Sequence, residues 1–245
     1  LKDYIPNVNK KFRNTFFSGI SFDSKSVKKN NIFFAIKGNE IDGNKFIPVA
    51  IKKGSKIIVS EKKLKKKHNG IIYLDTNNIR KLLADVSFKI YKKKPENLIA
   101  VTGTNGKSSI ANFYYQILKL NKKKVASIGT LGVKAENYNL KLNNTTIDPI
   151  KLGKILRILK DKNIDNVIME ASSHGLSQNR LDGLVFNTGI FTNISQDHLD
   201  YHKNFKNYLK AKLYLFENLI KKRGNVITDD EIAPFKKIKR ISFNK

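Results

Sequence analysis

The sequence contains no cysteine, few acidic residues and no long apolar run. The absence of cysteine excludes disulfide bonds, thiolate metal sites and cysteine nucleophiles. No apolar run approaches the roughly 20 residues of a membrane-spanning helix, and the opening LKDYIPNVNKKF lacks the apolar core of a secretory signal. We therefore expect a cytoplasmic protein without a membrane partner.

Acidic residues are strongly outnumbered, because 20 Asp and Glu face 48 Lys and Arg and give a net charge of +28. A clustered basic excess indicates nucleic-acid binding. Here the excess is nearly all lysine, it is spread through every segment, and it accompanies abundant Asn and Ile, a composition typical of an AT-rich genome. The run EKKLKKKH at 61–68 is more simply a solvated surface segment. We expect no nucleic-acid partner, although the positive field favours anionic small substrates.

The apolar pattern divides the 245 residues into two α/β units, 1–95 and 96–245. The first has short strand-like runs at 31–36, 56–60 and 70–74, with helices at 47–53 and 78–91, and its lysine-rich end at Pro95 is interpreted as a linker. The second alternates strands and helices, which predicts a mostly parallel sheet covered by helices. Its strands are predicted at 98–102, 125–129, 166–170, 189–193 and 225–228, and its helices at 110–120, 149–162 and 205–219.

The most informative segment is NLIAVTGTNGKSS at 97–109, which is typical of a buried strand, a phosphate-binding loop and a helix. Gly103 and Gly106 let the backbone turn tightly and approach an anion. Lys107 supplies a charge for the outer phosphates, and the Ser108 hydroxyl suits magnesium. The general motif places a glycine where this chain has Val101, so the match is incomplete. The segment still predicts a nucleoside triphosphate site.

Two further strands end in polar clusters, at the sheet edge where open α/β sheets bind ligands. The first cluster begins at Glu170, which suits magnesium, and ends at Arg180, which suits a carboxylate or phosphate. A capped turn with a surface arginine is the simpler alternative. The second follows the strand at 189–193, and there a metal or phosphate role is favoured for His198. The other members of the two clusters are Ser172, Ser173, His174, Gln178, Asn193, Asp197, Asp200 and His202.

Four strings together resemble the Mur ligase family: GTNGKSS, NNTTIDP, MEASSHGLSQNRLDG and FTNISQDHLDYHKNFKNYLKAK. The segment FDSKSVKKNNIFFAIKGNEIDGNKFIPVAIKKG is similar to the family's uridine-nucleotide-binding domain. The resemblance covers nearly the whole chain. It implies an N-terminal uridine-nucleotide-binding domain followed by a P-loop-type central domain.

The resemblance also implies an activity: ATP-dependent addition of an amino acid, expected to be meso-2,6-diaminopimelate, to UDP-N-acetylmuramoyl-L-alanyl-D-glutamate through an acyl phosphate. The expected cofactors are ATP and Mg²⁺, the expected partners are small-molecule substrates, and the expected state is a monomer. Family members end in a third, Rossmann-like domain that this sequence lacks. We therefore expect a fragment, which need not itself be active.

The resemblance assigns roles to individual residues. The ATP phosphates are assigned to Gly103, Thr104, Asn105, Gly106, Lys107, Ser108 and Ser109. Metal binding is assigned to Ser108, Glu170, His198 and Lys212, and catalytic roles to Lys107, His198 and Lys212, the last through carbamylation. Substrate contacts are assigned to Phe22, Ser24, Asn39, Glu40, Ile41, Asn144, Thr145, Thr146, Ser172, Gln178 and Arg180.

Two alternatives remain open at this point. Another ATP-dependent ligase of the superfamily, such as the next Mur ligase or a folylpolyglutamate synthetase, would share GTNGKS but should not share FDSKSV or SSHGLSQNR. A lysine-adding ligase belongs to the same alternative, and these strings do not separate it, because the residues that choose between lysine and diaminopimelate are expected beyond Lys245. A basic nucleic-acid-binding NTPase module would need its lysines on one face. The even spread of lysine disfavours that module.

Overall fold

A computed structural model describes residues 1–6, 8–38, 40–64 and 70–243. The contacts within the chain form two compact units, Leu1–Ile90 and Tyr91–Lys245, whereas the sequence analysis placed the boundary after residue 95. No helix in the described ranges combines the length and apolar character that crossing a membrane requires.

The first unit is built on a four-stranded parallel sheet in the order β1-β2-β3-β4. Every residue of the two central strands is buried, as expected for a parallel sheet. Strand β1 is too short to produce a visible pattern, and the sequence analysis missed it. The elements are β1 Gly19–Ser21, β2 Asn31–Phe34, α1 Ile47–Lys52, β3 Ile57–Ser60, β4 Ile72–Asp75 and α2 Ile79–Ile90.

The second unit contains a seven-stranded sheet in the order β11-β10-β5-β9-β6-β7-β8. The first five strands in this sheet order, from β11 to β6, are parallel, which confirms the predicted fold class. The last two strands add an antiparallel meander at one edge. The strands are β5 Asn97–Thr102, β6 Val125–Gly129, β7 Gly132–Ala135, β8 Tyr138–Leu140, β9 Asn166–Glu170, β10 Phe186–Phe191 and β11 Ile220–Thr228.

The sequence analysis assigned no strand to the meander, since β7 and β8 are only four and three residues long. Alternation cannot be recognised over so few residues. Tight turns join the strands, with Gly132 at φ +91° and Asn137 at φ +56°.

The three helices predicted for the second unit are present at approximately the predicted positions, and a further helix of nine residues, Phe235–Phe243, was not predicted. One prediction is wrong in detail, because the helix expected at 205–219 ends at Tyr214 and a π-helical turn, Leu215–Leu219, follows it. That turn buries Leu215, Phe216 and Leu219 before β11 begins. The helices are α3 Lys107–Leu120, α4 Pro149–Asp161, α5 Ser173–Ser177, α6 Leu199–His202, α7 Phe205–Tyr214 and α8 Phe235–Phe243.

The centre of the second sheet positions the polar segments. Strand β5 lies between β10 and β9, and β6 follows on the far side of β9. The carboxyl ends of these four parallel strands therefore meet at one edge of the sheet. The loop after β5, the end of β9 and the segment after β10 are brought together there.

Candidate functional site

A cleft of about 280 Å³ opens at this edge of the second sheet. The loop after β5 forms one wall, and the ends of β6 and β9, the segment after β10 and helix α7 complete it. The lining residues are Gly103, Thr104, Asn105, Gly106, Lys107, Ser108, Ser109, Thr130, Thr145, Glu170, Ser172, Ser173, Asp197, His198, Tyr208 and Lys212.

The loop at 103–106 needs both of its glycines. Gly103 has φ +154°, and a Cβ there would overlap the hydroxyl of Thr192 at the end of β10. Gly106 has φ +81° and immediately precedes α3, so the first amides of this 14-residue helix face the cleft side of the loop. Thr192 donates to the Asn105 carbonyl over 2.6 Å and fixes the loop against β10. This geometry suits phosphate oxygens.

Lys107 folds back over the loop. Its Nζ donates to the carbonyls of Gly103, over 2.9 Å, and Thr104, over 2.8 Å. Partial burial lowers the pKa of Lys107, and the negative charges of Glu170 and Asp197 oppose that shift. A partly buried cation whose two acceptors are neutral is suited to binding an anion.

Glu170 is a buried carboxylate, 3% exposed, that is held by three donors. Oε1 accepts from the Thr130 amide over 2.9 Å, and Oε2 accepts from the hydroxyls of Thr130, over 3.1 Å, and Ser108, over 3.0 Å. Gly129 makes room for this carboxylate, because a Cβ there would overlap it. The end of β6 therefore fixes the orientation of Glu170.

Ser108 and Glu170 place two oxygen ligands beside each other on the cleft wall, and hard cations such as Mg²⁺ prefer oxygen. Among the described residues, no group of three or more His, Asp or Glu side chains is arranged to hold a metal. A cation here would therefore take further ligands from a substrate, water or a modified side chain. The residues present fit a magnesium ion bound in that way.

Lys212 is almost completely buried, at 1% exposure. Its Nζ donates to the Gly103 carbonyl over 2.6 Å and lies 4.5 Å from the centre of the Tyr208 ring. Burial, followed by the positive charge of Lys107, lowers the pKa of Lys212 to about 7, and the negative charge of Asp197 opposes both effects. An amine with such a pKa is partly uncharged near neutral pH. That is the chemical requirement for an amine to act as a nucleophile toward carbon dioxide.

His198 lies at the rim of the cleft with φ +51°, directly before α6. Its Nε2 is 3.5 Å from an Asp197 carboxylate oxygen. The histidine also packs edge-on against His174, with ring centres 4.7 Å apart. The sequence analysis placed His202 in the polar cluster at this sheet edge, but His202 is not among the residues that line the cleft. It is buried, and burial followed by the positive charge of His174 lowers its pKa to about 4.

The segment before α4 joins the segment after β9. Thr146 donates to the Glu170 carbonyl over 2.8 Å and accepts from the Ser172 amide over 2.9 Å. Arg180 donates to the Thr146 carbonyl and, over 2.7 Å, to the side-chain oxygen of Gln178. Four of the residues assigned to substrate therefore form one network. Thr145 adds a hydroxyl contact to Thr130 over 2.9 Å, and Asn144 is exposed nearby in sequence.

The remaining assigned residues belong to the first unit. Phe22 is 39% exposed and follows β1, and Ser24 is buried at the start of a 3₁₀ turn. Glu40 and Ile41 are exposed in the segment after β2, where the Gly38 amide donates to the Ile41 carbonyl over 2.8 Å. Because β1 and β2 are neighbouring parallel strands, both segments follow the same sheet edge. Asn39 lies outside the described residues.

Sequence reasoning missed three residues that the geometry brings into the site. Thr130 follows the end of β6 and binds Glu170, and that position at a strand end was the available signal. Tyr208 lies one helical turn before Lys212, and its hydroxyl forms a hydrogen bond of 3.0 Å with the hydroxyl of Thr104. Tyr201 accepts from the Gln178 side chain over 3.1 Å. Nothing in the local sequence singles out either tyrosine.

Comparison with known proteins gives consistent matches along the chain. Residues 101–244 match the Mur ligase middle domain, and residues 17–97 match the Mur ligase family catalytic domain. The chain is 40% identical, over 95% of its length, to UDP-N-acetylmuramoyl-L-alanyl-D-glutamate--2,6-diaminopimelate ligase of Rickettsia prowazekii, and covers 49% of that protein. It is 44% identical, over 84% of its length, to the ligase of the same name of Buchnera aphidicola, and covers 43% of it.

A solved structure of a UDP-N-acetylmuramoyl-L-alanyl-D-glutamate--2,6-diaminopimelate ligase matches the whole of this chain with a TM-score of 0.85 and a sequence identity of 26%. The match covers 50% of that solved chain. The chain thus spans about half the length of the curated relatives it matches. The middle-domain match extends over more than half of the chain and includes the phosphate loop, Glu170, His198 and Lys212. By these matches, the protein belongs to the Mur ligase family.

Proposed function

We propose that this chain forms the substrate-binding and ATP-binding half of an ATP-dependent ligase that adds 2,6-diaminopimelate to UDP-N-acetylmuramoyl-L-alanyl-D-glutamate. The curated relatives carry that activity in their names. The observation that carries the proposal is the convergence of Lys107, Lys212 and the Ser108–Glu170 pair on one cleft beside a glycine-bearing loop. We infer a cytoplasmic location, small-molecule partners and a role in cell-wall precursor synthesis from the same relatives.

Nucleotide binding begins at the loop. The amides at the start of α3 and the Lys107 ammonium group neutralise the β- and γ-phosphates of ATP. For Lys107 this requires an exchange, since the phosphate oxygens replace the carbonyls of Gly103 and Thr104 as acceptors. The carbonyls are neutral acceptors, whereas the phosphate oxygens carry negative charge and form an ion pair with the ammonium group, so the exchange favours the bound state.

Ser108 and Glu170 would hold Mg²⁺, which supplies charge neutralisation at the transferring phosphoryl group. The terminal carboxylate of the muramoyl-dipeptide attacks the γ-phosphorus, and ADP leaves as the acyl phosphate forms. The incoming amino group then attacks the acyl carbon, and phosphate leaves as the amide forms. In both steps the chain contributes positioning and charge stabilisation, and Lys107 is the cation that faces the transferred group.

Lys212 has a separate role in this proposal. Its pKa of about 7 makes the free amine available near neutral pH. Addition of that amine to carbon dioxide forms an N–C bond and releases one proton, which leaves a carbamate anion. The product is an oxygen ligand in place of a cation, and it would join His198 in holding a second metal ion.

The contacts of the muramoyl-dipeptide are proposed for each unit by itself. In the second unit, we assign it to the network around Thr146, Ser172, Gln178 and Arg180, with Asn144 and Thr145 beside it. Arg180 supplies a planar cation suited to a carboxylate. In the first unit, we assign the uridine diphosphate end to the segments that contain Phe22, Ser24 and Asn39–Ile41.

Calorimetric titration with ATP in excess Mg²⁺ tests the nucleotide site. We expect saturable binding by the unmodified chain and at least about tenfold weaker binding by Lys107→Ala, since a hydrogen bond to a charged group contributes about 1.5–3 kcal/mol. Lys119→Ala is the control, because Lys119 is an exposed lysine on the same helix. Equal ATP affinity in Lys107→Ala and Lys119→Ala would contradict the site assignment.

A further inference from the structure

Tyr208 is a buried tyrosine whose position the assigned activity leaves unexplained. It is 1% exposed, lies on α7 and reaches the cleft wall. Its hydroxyl lies 3.0 Å from the hydroxyl of Thr104 in the phosphate loop. The contact joins residues 104 positions apart in sequence, so it connects the loop to a helix from the far end of the unit.

The hydrogen bonds around Thr104 determine which hydroxyl donates. The Thr104 oxygen accepts from the Ser195 amide over 3.0 Å and is 3.3 Å from the Ser195 carbonyl. A threonine hydroxyl has one proton and can accept twice. If Thr104 donates to the Ser195 carbonyl, its second acceptor position is filled by the Tyr208 proton. Every polar atom in this chain of contacts is then satisfied.

The Tyr208 ring is itself held on two sides. The Lys212 ammonium group lies 4.5 Å from the centre of the Tyr208 ring. The centres of the His202 and Tyr208 rings are 5.3 Å apart. A ring fixed in this way presents its hydroxyl in one place, which is what a positioning group requires.

We propose that Tyr208 is a positioning residue for nucleotide binding, in that its hydroxyl holds Thr104 and thereby keeps the phosphate loop in its binding conformation. This inference rests on the proposed function, because it assumes that the loop binds ATP. The Thr104 amide donates to the Asn193 carbonyl over 3.0 Å, and its hydroxyl bonds to Ser195 as well as to Tyr208. Loss of the tyrosine hydroxyl therefore removes one of the contacts that hold the Thr104 side chain.

The decisive variant is Tyr208→Phe, which keeps the ring and removes one hydroxyl. We expect ATP to bind about 2- to 12-fold more weakly, the range that corresponds to one neutral hydrogen bond. Tyr214→Phe is the matched control. It lies on the same helix, and its hydroxyl bonds to Asp182 over 2.7 Å, away from the loop. We expect that variant to bind ATP as the unmodified chain does, whatever its melting temperature.

A double-mutant cycle separates positioning from general destabilisation. In a Thr104→Val background the partner hydroxyl is absent, so Tyr208→Phe should weaken ATP binding by less than twofold further. Equal ATP affinity for Tyr208→Phe and the unmodified chain, or the same fold-loss in both backgrounds, would overturn the inference. Failure of the unmodified chain to bind ATP would instead overturn the proposed function, and the two failures are thus distinguishable.

Discussion

Two lysine side chains in the cleft donate to the same backbone carbonyl. Lys107 and Lys212 both donate to the Gly103 oxygen, and the positive charge of Lys107 contributes to the low pKa of Lys212. Lys212 is buried and Lys107 is partly buried, so their positive charges repel each other, and an anion between or beside them relieves that repulsion. At the residue scale, the site is therefore organised for negative charge even in the absence of a bound group.

Arg180 tests the assignment of the muramoyl-dipeptide. Arg180→Ala should weaken binding of UDP-N-acetylmuramoyl-L-alanyl-D-glutamate by about 10- to 150-fold, because a charge-assisted contact is lost, and should change ATP affinity far less. Calorimetry with each ligand gives both values. Arg157→Ala serves as the control, since Arg157 is an exposed arginine on α4 that pairs with Asp161 over 3.6 Å. Equal losses for both ligands would indicate a structural role for Arg180.

Asp42 predicts a pH dependence in the first unit. Hydrogen bonds from Lys62, over 2.7 Å, and from Asn44 hold the pKa of this carboxyl well below its usual range. A depressed folded-state pKa stabilises the fold above the unfolded value of about 4, and that stabilisation is lost as pH falls below it. The stability difference between the unmodified chain and Asp42→Asn should therefore shrink between pH 6 and pH 3.

Urea unfolding at both pH values measures that difference. Lys62→Met provides the internal check, because removing the main donor should reduce the effect of Asp42→Asn at pH 6. A difference that stays constant from pH 6 to pH 3 would show that Asp42 does not titrate between the folded and unfolded states as the contacts predict.

At the scale of elements, the last residue of β6, Gly129, leaves the space that the last side chain of β9, Glu170, occupies. Gly129→Ala would push a methyl group into the Glu170 carboxylate. We expect a loss of about 1–3 kcal/mol in unfolding free energy, as for other overpacked sites, and ATP binding in Mg²⁺ that is weaker than in the unmodified chain. Both follow from displacement of Glu170 away from Ser108.

A control of similar stability cost separates these two effects. Asp148 caps α4 by accepting from the Lys151 amide over 2.9 Å, and Asp148→Ala should cost about 1 kcal/mol. Asp148 does not line the cleft, so ATP affinity should fall less than in Gly129→Ala. If both variants lose the same ATP affinity, Gly129 acts through stability alone.

The sequence predicted the central strands and long helices of the second unit because their periodic patterns are long. The meander at 132–140 and the helices α5 and α6 were missed, since each of these elements spans five residues or fewer, and the nine-residue α8 was also missed. The phosphate loop was recognisable because glycine, lysine and serine are needed at fixed spacings. Tyr208 and Thr130 were not, because their roles depend on contacts between distant segments.

At the scale of the whole molecule, the positive net charge of the protein suits the negative charge of its proposed ligands. A net charge of +28 raises the local concentration of anions. Both proposed ligands, ATP and a uridine diphosphate derivative, are polyanions. The same field attracts DNA without specificity, and that attraction weakens steeply with salt. Salt dependence therefore separates a shaped anion site from the general field.

The most direct test of the central claim is a calorimetric titration of this chain with UDP-N-acetylmuramoyl-L-alanyl-D-glutamate at moderate salt, beside a random DNA duplex. We predict saturable binding of the muramoyl-dipeptide that persists at higher salt, and weak DNA binding that salt abolishes. Absence of muramoyl-dipeptide binding together with tight DNA binding would contradict the account and place this chain among nucleic-acid-binding modules.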